Sequence, residues 1–223
     1  MARTARRPER RRPLSRERVI GAAISLADAH GIDALSMRRL AQELGVEAMS
    51  VYHHVANKDD ILDGIVQVVA EEIELPEPGM EWKAAIRRTA GSAHEVLVRH
   101  PWAANLILSG AGSGVARLRY MDGILGVLRG AGFSADMTDH GYHALDSHIM
   151  GFTLWQVGMN LGTEEELKAM AADFLKQLDV SEFPYLAEHI EQHLRPRDGD
   201  EVGEFEFGLG LILDGLERLL PTE

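Results

Sequence analysis

The stretch LAQELGVEAMSVYHHVANKDDIL, residues 40–62, decides the fold of the N-terminal part of the chain. Apolar residues recur at helical spacing from Leu40 to Leu44, and Gly45 follows them as a stop signal. A second, short helix is predicted over about residues 47–53. Two helices joined by a glycine turn form the pattern of a helix-turn-helix.

The second of these helices begins with small or flexible side chains. Because the apolar positions are needed for packing, Ala48, Met49 and Ser50 are left to point outward, and such a helix start fits a major groove about 12 Å wide. The hydroxyl, imidazole and ammonium groups that follow are suited to phosphate oxygens; they belong to Tyr52, His54 and Lys58. We interpret this stretch as a DNA-binding surface, and the alternative is that Tyr52 and His54 only cover the edge of the core.

The charge of the chain is divided unevenly. The 223 residues carry a formal net charge of −12, but residues 1–58 hold eleven Lys/Arg and six Asp/Glu, a net of +5, which leaves −17 for residues 59–223. Six arginines lie in residues 2–13, which are almost free of apolar side chains and are predicted to be disordered on their own. The division favours a small module for a polyanion joined to an acidic body. A basic tail without a function is the alternative.

The whole chain is predicted to be all-α. Ser15, Ser36 and Asn57 are suitable N-caps, and Gly31 is a C-terminal stop for the first helix. After the fourth helix, which runs to about residue 74, helical stretches are predicted over about residues 82–99, 101–108, 114–131, 136–160, 164–176, 183–193 and 203–219. The predicted domains are a basic disordered tail (1–14), a three-helix helix-turn-helix domain (15–60) and a larger helical domain for ligand binding and dimerisation (61–223).

Composition excludes several classes of protein. The chain has no cysteine, so neither disulfides nor cysteine-based metal sites are possible. It has no run of eighteen apolar residues and no apolar segment behind the basic N-terminus, so neither a membrane span nor secretion is expected. A cytoplasmic protein is the expectation.

A family resemblance follows from longer segments. GIDALSMRRLAQELGVEAMSVYHHVANKDDILDGI, residues 31–65, resembles the DNA-binding domain of TetR-family transcriptional repressors. GFTLWQVG (151–158), FEFGLGLILDGLERLL (205–220) and the spacing of Trp82 and His100 resemble the tetracycline-repressor branch of that family. The resemblance implies a homodimeric, ligand-responsive repressor that binds a palindromic operator.

The resemblance also implies roles for individual side chains. Arg38 would reach a guanine edge and Ser36 a phosphate, while Ala48, Met49 and Ser50 would face bases and Tyr52, His54 and Lys58 would hold the DNA backbone. Ala48 and Met49 lack the hydrogen-bonding groups that read adenine or guanine. Sequence readout is therefore expected to rest on few polar contacts and partly on DNA shape. The arginine tail would add minor-groove contacts or counterion release.

Family members of this kind bind a small effector in the second domain. The two positions that hold a metal–tetracycline complex in such members fall near Ile107 and Met159 here, and both side chains are poor ligands for a hard cation. A largely apolar effector is expected instead, with no cofactor and no resident metal. The predicted pocket combines the polar His100, Asn105, His143 and Gln156 with apolar or soft side chains, which are Trp102, Ile107, Leu108, Met121, Met150, Phe152, Trp155 and Met159. The alternative is that the apolar members are ordinary core.

The last helix suggests how a dimer forms. Gly208, Ile212, Gly215 and Leu219 share one face, while a second apolar face needs its own cover. A second copy of the chain is the simplest cover for the first face. Such a dimer would hold its two recognition helices, the short second helices of the helix-turn-helix motifs, about 34–36 Å apart.

Two other functions compete with this interpretation. One is an all-α enzyme whose basic tail is incidental, but no nucleophile–base pair supports it. The other is a nonspecific nucleoid-binding protein. His140, His143 and His148 lack clean metal spacing, and His189 and His193 are four residues apart with no third ligand evident, so a zinc site is disfavoured. The glycine-rich segment 109–114 has no strand before it, so a phosphate loop is disfavoured as well.

Overall fold

The computed structural model describes residues 13–109, 114–158, 164–194 and 203–220. Within these ranges the regular structure is helical and no strand is present, which confirms the predicted all-α class. The helices are α1 Arg16–His30, α2 Met37–Leu44, α3 Ala48–Tyr52, α4 Lys58–Glu71, α5 Trp82–Arg99, α6 Pro101–Leu108, α7 Val115–Gly130, α8 Ala135–Gly158, α9 Glu164–Gln177, α10 Pro184–Leu194 and α11 Glu204–Glu217. A single 3₁₀ turn, Ile32–Ala34, lies between α1 and α2 and was not predicted.

The predicted N-caps set the starts of three helices. The side chains of Ser15, Ser36 and Asn57 each accept a hydrogen bond from the backbone N–H three residues later, at 3.3, 3.3 and 2.8 Å. Each bond satisfies a donor that has no partner inside its own helix. At the other end of α2, Gly45 adopts a left-handed conformation with φ 65° and ψ 37°, and its N–H closes the helix.

The first compact unit contains residues 1–72 together with 105–118. In it, α1 packs against α2 and α4, and α2 packs against α3. The fully or nearly fully buried side chains at the centre are apolar and come from all four helices: Val19, Ala23, Leu26, Leu40, Ala41, Val51, Ile61 and Ile65. Removing these side chains from water drives the assembly of the four helices.

The second compact unit contains residues 73–104 and 119–223. Its centre is formed by α5, α8 and α11, which pack against one another. The buried side chains include Ile86 and Leu97 of α5, Leu145 and Ile149 of α8, and Leu209, Leu213 and Leu216 of α11. Helices α9 and α10 pack on each other within the same unit.

The compact units differ from the predicted domains in two places: at the boundary inside α4, and at residues 105–109 and 114–118, which were predicted in the second domain but belong to the first unit. The prediction divides the chain between residues 60 and 61, which lie inside α4. Ile61 and Ile65 are buried on the face of α4 that packs toward α1, so the whole of α4 belongs to the first unit. The functional division into a DNA-binding and a ligand-binding domain stays a prediction.

No helix in the described part of the chain is long and apolar enough to cross a bilayer.

Replacing Gly31 by alanine should destabilise the first unit. Gly31 has φ 77° and ψ 160°, a region that side chains rarely adopt, and an added Cβ would meet no atom within 4 Å. The loss is therefore a backbone cost, about 1–3 kcal/mol. Gly21 in α1 is the matched control because it also has open space around it, and Gly21→Ala should stabilise by roughly 0.5–1 kcal/mol. Urea unfolding measures both; a Gly31→Ala protein as stable as Gly21→Ala would contradict the prediction.

Candidate functional site

Helices α2 and α3 bury one face and expose the other. Leu40, Ala41 and Leu44 of α2 are buried, and Val51 is the buried residue of α3. The backbone N–H of Val46 bonds to the Ala41 carbonyl at 3.0 Å, which closes the turn between the helices. Because the apolar face points inward, the polar residues of both helices lie on the opposite, solvent-facing side.

The residues predicted to face bases lie on that solvent side. Arg38 and Ala48 are exposed, Met49 is 65 % exposed and Ser50 is half-buried. An exposed methionine beside an exposed alanine, at the start of a short helix, presents methyl groups to a partner. The exposed guanidinium of Arg38 supplies the bidentate donors that guanine O6 and N7 accept.

The residues predicted to hold phosphates are also accessible. The Ser36 Oγ accepts the Arg39 N–H, so its own hydroxyl hydrogen is still available to donate. Tyr52 is 45 % exposed, His54 is half-buried, and the exposed Lys58 is the first residue of α4. The positive N-terminal end of α4 and the Lys58 ammonium would both attract a phosphate at this position.

An ion pair fixes the turn between α3 and α4. The Arg16 guanidinium donates to both carboxylate oxygens of Asp60, from Nη2 at 2.6 Å and Nη1 at 2.9 Å. The backbone N–H of Ala56 donates to Asp60 Oδ2 at 2.8 Å. Arg16 first, and Ala56 second, hold the pKa of Asp60 below its usual value, and the same pairing raises the pKa of Arg16. Sequence analysis did not identify either residue.

The predicted pocket residues occupy different environments. His100, Trp102, Ile107 and Met150 are buried, Met121 and Gln156 are half-buried, and Asn105, His143 and Trp155 are exposed. Asn105 and Ile107 belong to the first compact unit, and Met159 lies outside the described residues. His100 and Trp102 meet edge to face, with ring centroids 5.9 Å apart. That all the predicted pocket residues line one pocket stays a prediction.

An aromatic cluster in the second unit was missed by sequence analysis. The Phe205 ring stacks with His94 at a centroid distance of 4.2 Å and with His148 at 5.0 Å. Phe152 contacts all three rings, and Trp155 lies 5.5 Å from Phe152. The cluster joins α5, α8 and α11, so Trp155, a predicted pocket residue, extends an aromatic surface that is anchored in the packing of these helices.

Hydrogen bonds define the tautomer of His94. The Thr153 hydroxyl donates to the Ile149 carbonyl at 2.6 Å, so its oxygen accepts from His94 Nδ1–H, 2.8 Å away. Burial lowers the pKa of His94, and the neighbouring His148 lowers it further, while Glu95 and Gln156 act in the opposite direction. The net effect is that the pKa of His94 lies below its ordinary value. His148 is tied separately, by a 2.9 Å bond from Nε2 to the Phe205 carbonyl.

The residues predicted to form the dimer face do not all point the same way. A Cβ added to Gly208 would lie 2.5 Å from His148 Cε1, so this glycine faces its own subunit and permits the close approach of α11 to α8. Ile212 is half-buried, whereas Gly215 and Leu219 are exposed. Phe207 and Leu211 are each 62 % exposed and were not predicted as members of this face.

Among the described residues, no group of three or more His, Asp or Glu side chains is arranged to hold a metal ion.

Two family models together match most of the chain. The model described as bacterial regulatory proteins, tetR family, matches residues 19–65, and the model described as tetracyclin repressor-like, C-terminal domain, matches residues 75–220. The HTH-type transcriptional repressor DrrR1 of Streptomyces coeruleorubidus is 31 % identical over 97 % of this chain and 83 % of its own length. An HTH-type transcriptional regulator of Saccharopolyspora erythraea is 35 % identical over 97 % of this chain and 92 % of its own length.

A solved structure shares both fold and sequence with the chain. The TetR family protein ActR of Streptomyces coelicolor, crystallised in complex with actinorhodin, aligns with a TM-score of 0.74 and 30 % identity. The alignment covers 95 % of this chain and all of ActR. This match supports an N-terminal helix-turn-helix followed by a helical C-terminal domain.

The environment of His94 predicts a specific pH dependence of stability. Its folded pKa lies below the unfolded value of about 6.5, so the unfolded chain binds the proton more readily and stability must fall as the pH drops below that value. His94→Gln removes the titrating imidazole, so the free energy of unfolding should decrease less as the pH is lowered. Urea unfolding at several pH values between about 5 and 8 measures the difference. Parallel stability profiles for the two proteins would contradict the assignment.

Proposed function

Since the chain belongs to the TetR family of bacterial transcriptional regulators, we propose that it is a homodimeric repressor whose affinity for a palindromic operator is set by a small, largely apolar effector. The observation that carries the proposal is the two-sided character of α2 and α3. Their apolar face is buried, while Arg38, Ser50 and Tyr52 lie on the solvent-facing side, and the exposed Lys58 begins the next helix. Membership of the family makes DNA the partner for that side.

Base recognition rests on one strong polar contact in each half-site. Arg38 is proposed to donate to a guanine edge, and the Ser50 hydroxyl can donate to or accept from a base. Ala48 and Met49 offer only apolar contact, which fits a thymine methyl group. With so few polar contacts, the deformability of the DNA is proposed to supply the remaining discrimination.

Affinity comes mainly from phosphates. Ser36, Tyr52, His54 and Lys58 surround the recognition helix and carry donors at accessible positions. Such contacts fix the register of the protein on the duplex without reading its sequence. They also make binding strongly dependent on salt, because each neutralised phosphate releases counterions.

The dimer is proposed to form through α11. Phe207 and Leu211 of α11, and Leu219 in the turn just after it, are exposed apolar side chains, and the exposed Gly215 lies between them. Burying these side chains against a second copy removes them from water on both subunits at once. A twofold axis then supplies two α3 helices for the two halves of a palindrome.

The effector is proposed to be largely apolar. The buried Trp102 and Met150 offer apolar contact, and the buried His100 offers a polar group to orient the ligand. Ile107, at a position where a metal–drug complex would need a ligand, is a buried hydrocarbon. The relative ActR has been solved with actinorhodin bound, which supports a small molecule as effector.

Selection of a duplex from a random library tests the function as a whole. The selected site should be a palindrome and should be held roughly 10³-fold or more tightly than bulk competitor DNA. Equal affinity for all duplexes would favour a nonspecific nucleoid-binding protein, and no duplex binding at all would leave an enzyme as the alternative.

Lys58→Ala and Arg38→Ala should weaken DNA binding in different ways. Loss of the Lys58 ammonium should weaken selected and random duplexes alike and reduce the salt slope by about one unit. Arg38→Ala should relax the preference at one base pair per half-site, at a cost of roughly 1–3 kcal/mol. Fluorescence anisotropy across a salt series, with a panel of base substitutions, separates the two effects. A Lys58→Ala protein with altered base preference and unchanged affinity would remove Lys58 from the phosphate set.

Leu211→Arg should give a folded chain that no longer dimerises. Because the side chain is 62 % exposed, the substitution leaves the core of the subunit intact but places a charge in the proposed interface. Leu118, 58 % exposed on α7, is the matched control, and Leu118→Arg should stay dimeric. Light scattering gives the mass of each variant, and operator titration should show loss of palindrome binding for Leu211→Arg alone. A dimeric Leu211→Arg protein would exclude this part of α11 from the interface.

A further inference from the structure

We infer that Arg16 and Asp60 form a positioning clamp for DNA recognition, in which Arg16 acts through Asp60 on the turn between α3 and α4 instead of contacting DNA itself. The inference rests on the proposed function. It gives a role to a basic residue that directly follows the arginine-rich N-terminal segment and would otherwise be counted among the DNA-binding cations.

Both terminal nitrogens of the Arg16 guanidinium are engaged by oxygens of the protein. Nη1 and Nη2 donate to the two carboxylate oxygens of Asp60 at 2.9 and 2.6 Å. The same two nitrogens also lie 3.5 Å from the backbone carbonyls of His54 and Asp60. A guanidinium whose two terminal nitrogens each face two oxygens has few N–H groups left for a phosphate.

Asp60 carries the link onward to the turn. Its Oδ2 accepts the Ala56 N–H at 2.8 Å in addition to the bond from Arg16. Its own backbone N–H is capped by Asn57 Oδ1 at 2.8 Å. One carboxylate therefore joins the first residue of α1 to the turn after α3 and to the first turn of α4.

This turn lies among the proposed phosphate contacts. Tyr52 is the last residue of α3, His54 lies in the turn, and Lys58 is the first residue of α4. The three donors can contact the DNA backbone together at the lowest cost if the turn already has one conformation before binding. Ordering the turn in the free protein lowers the conformational entropy lost on binding.

The pair is a poor candidate for a purely structural role. The Arg16 and Asp60 side chains are 45 % and 30 % exposed, and ion pairs of this exposure contribute little to global stability. Loss of the clamp should therefore leave a folded protein whose defect is in DNA binding.

Two charge-based substitutions separate the clamp from direct contact. Arg16→Lys keeps the charge, so it would preserve a phosphate contact, but a lysine cannot bridge both carboxylate oxygens. Asp60→Asn removes a negative charge near the DNA, so electrostatics alone predicts tighter binding. The clamp predicts weaker binding for both variants, by roughly tenfold in Kd.

Asp59→Asn is the matched control for the second substitution. Asp59 is the exposed neighbour of Asp60 in the first turn of α4 and takes no part in the clamp. Its replacement changes the net charge and the helix N-terminus in the same way, and operator affinity should stay equal to wild type or rise slightly. The double variant Arg16→Lys/Asp60→Asn should be no weaker than the worse single variant, because both act through one interaction.

The experiment measures operator affinity by anisotropy and amide hydrogen exchange of the turn in the free full-length chain, after circular dichroism has shown that each variant is folded. The expected result is weaker binding with an unchanged salt slope, together with faster exchange of the Ala56 amide, in Arg16→Lys and Asp60→Asn but not in Asp59→Asn. Wild-type affinity in Asp60→Asn, or a weaker Arg16→Lys with protected Ala56, overturns the clamp. Absence of any specific duplex for the wild-type chain overturns the proposed function as well, so the two failures are distinguishable.

Discussion

The shortness of α3 is the constraint on which the rest of the first unit depends. Ala48–Tyr52 spans five residues, far below the roughly 12–15 residues at which an isolated helix becomes even marginally stable in water. Its conformation must therefore come from its surroundings. Val51 has no exposed surface and Val55 is 2 % exposed, so two apolar side chains hold the segment against the core. The left-handed Gly45 and the Asn57 cap fix the chain on either side. Hydrophobic burial sets the depth of the helix, and polar bonds at its ends set its direction.

The second unit differs from the first in that polar side chains lie between its long, packed helices. His94 is placed among the rings of α8 and α11 instead of in solvent, and its Nδ1 is satisfied through Thr153. A buried polar group without a partner would cost more than the hydrogen bond returns. Gly208 lets α11 approach α8 closely enough for His148 to reach the Phe205 carbonyl. The aromatic cluster is thus a joint between three helices in which apolar stacking and two specific hydrogen bonds act together.

Local patterns predicted most of the fold, because caps, glycine stops and helical periodicity act over three or four residues. Ser15, Ser36 and Asn57 cap the helices as predicted, and the long helices begin and end within a few residues of the expected positions. Apart from the 3₁₀ turn at Ile32–Ala34, the missed contacts join residues distant in sequence. Arg16 and Asp60 are 44 positions apart, and His148 and Phe205 are 57 apart. Periodicity can place each of these side chains on a face of its helix, but it cannot say which faces meet. The same limit explains Gly208: its spacing is equally compatible with contact to a second subunit and with contact to its own α8.

The division of charge makes the dimer a physical requirement of the proposed function. A chain with a formal net charge of −12 has no general attraction for DNA, so its affinity must come from a few local donors. The acidic residues beyond residue 58 are screened over about 8 Å at physiological ionic strength, whereas groups in direct contact with phosphates are screened much less. One α3 helix and its flanking donors supply four proposed phosphate contacts and one strong base contact. In a dimer the same contacts are made twice. Once one subunit is bound, the second half-site is bound without a second loss of translational and rotational freedom. In the proposed dimer, the exposed apolar side chains of α11 would therefore control operator affinity although they contact no DNA themselves.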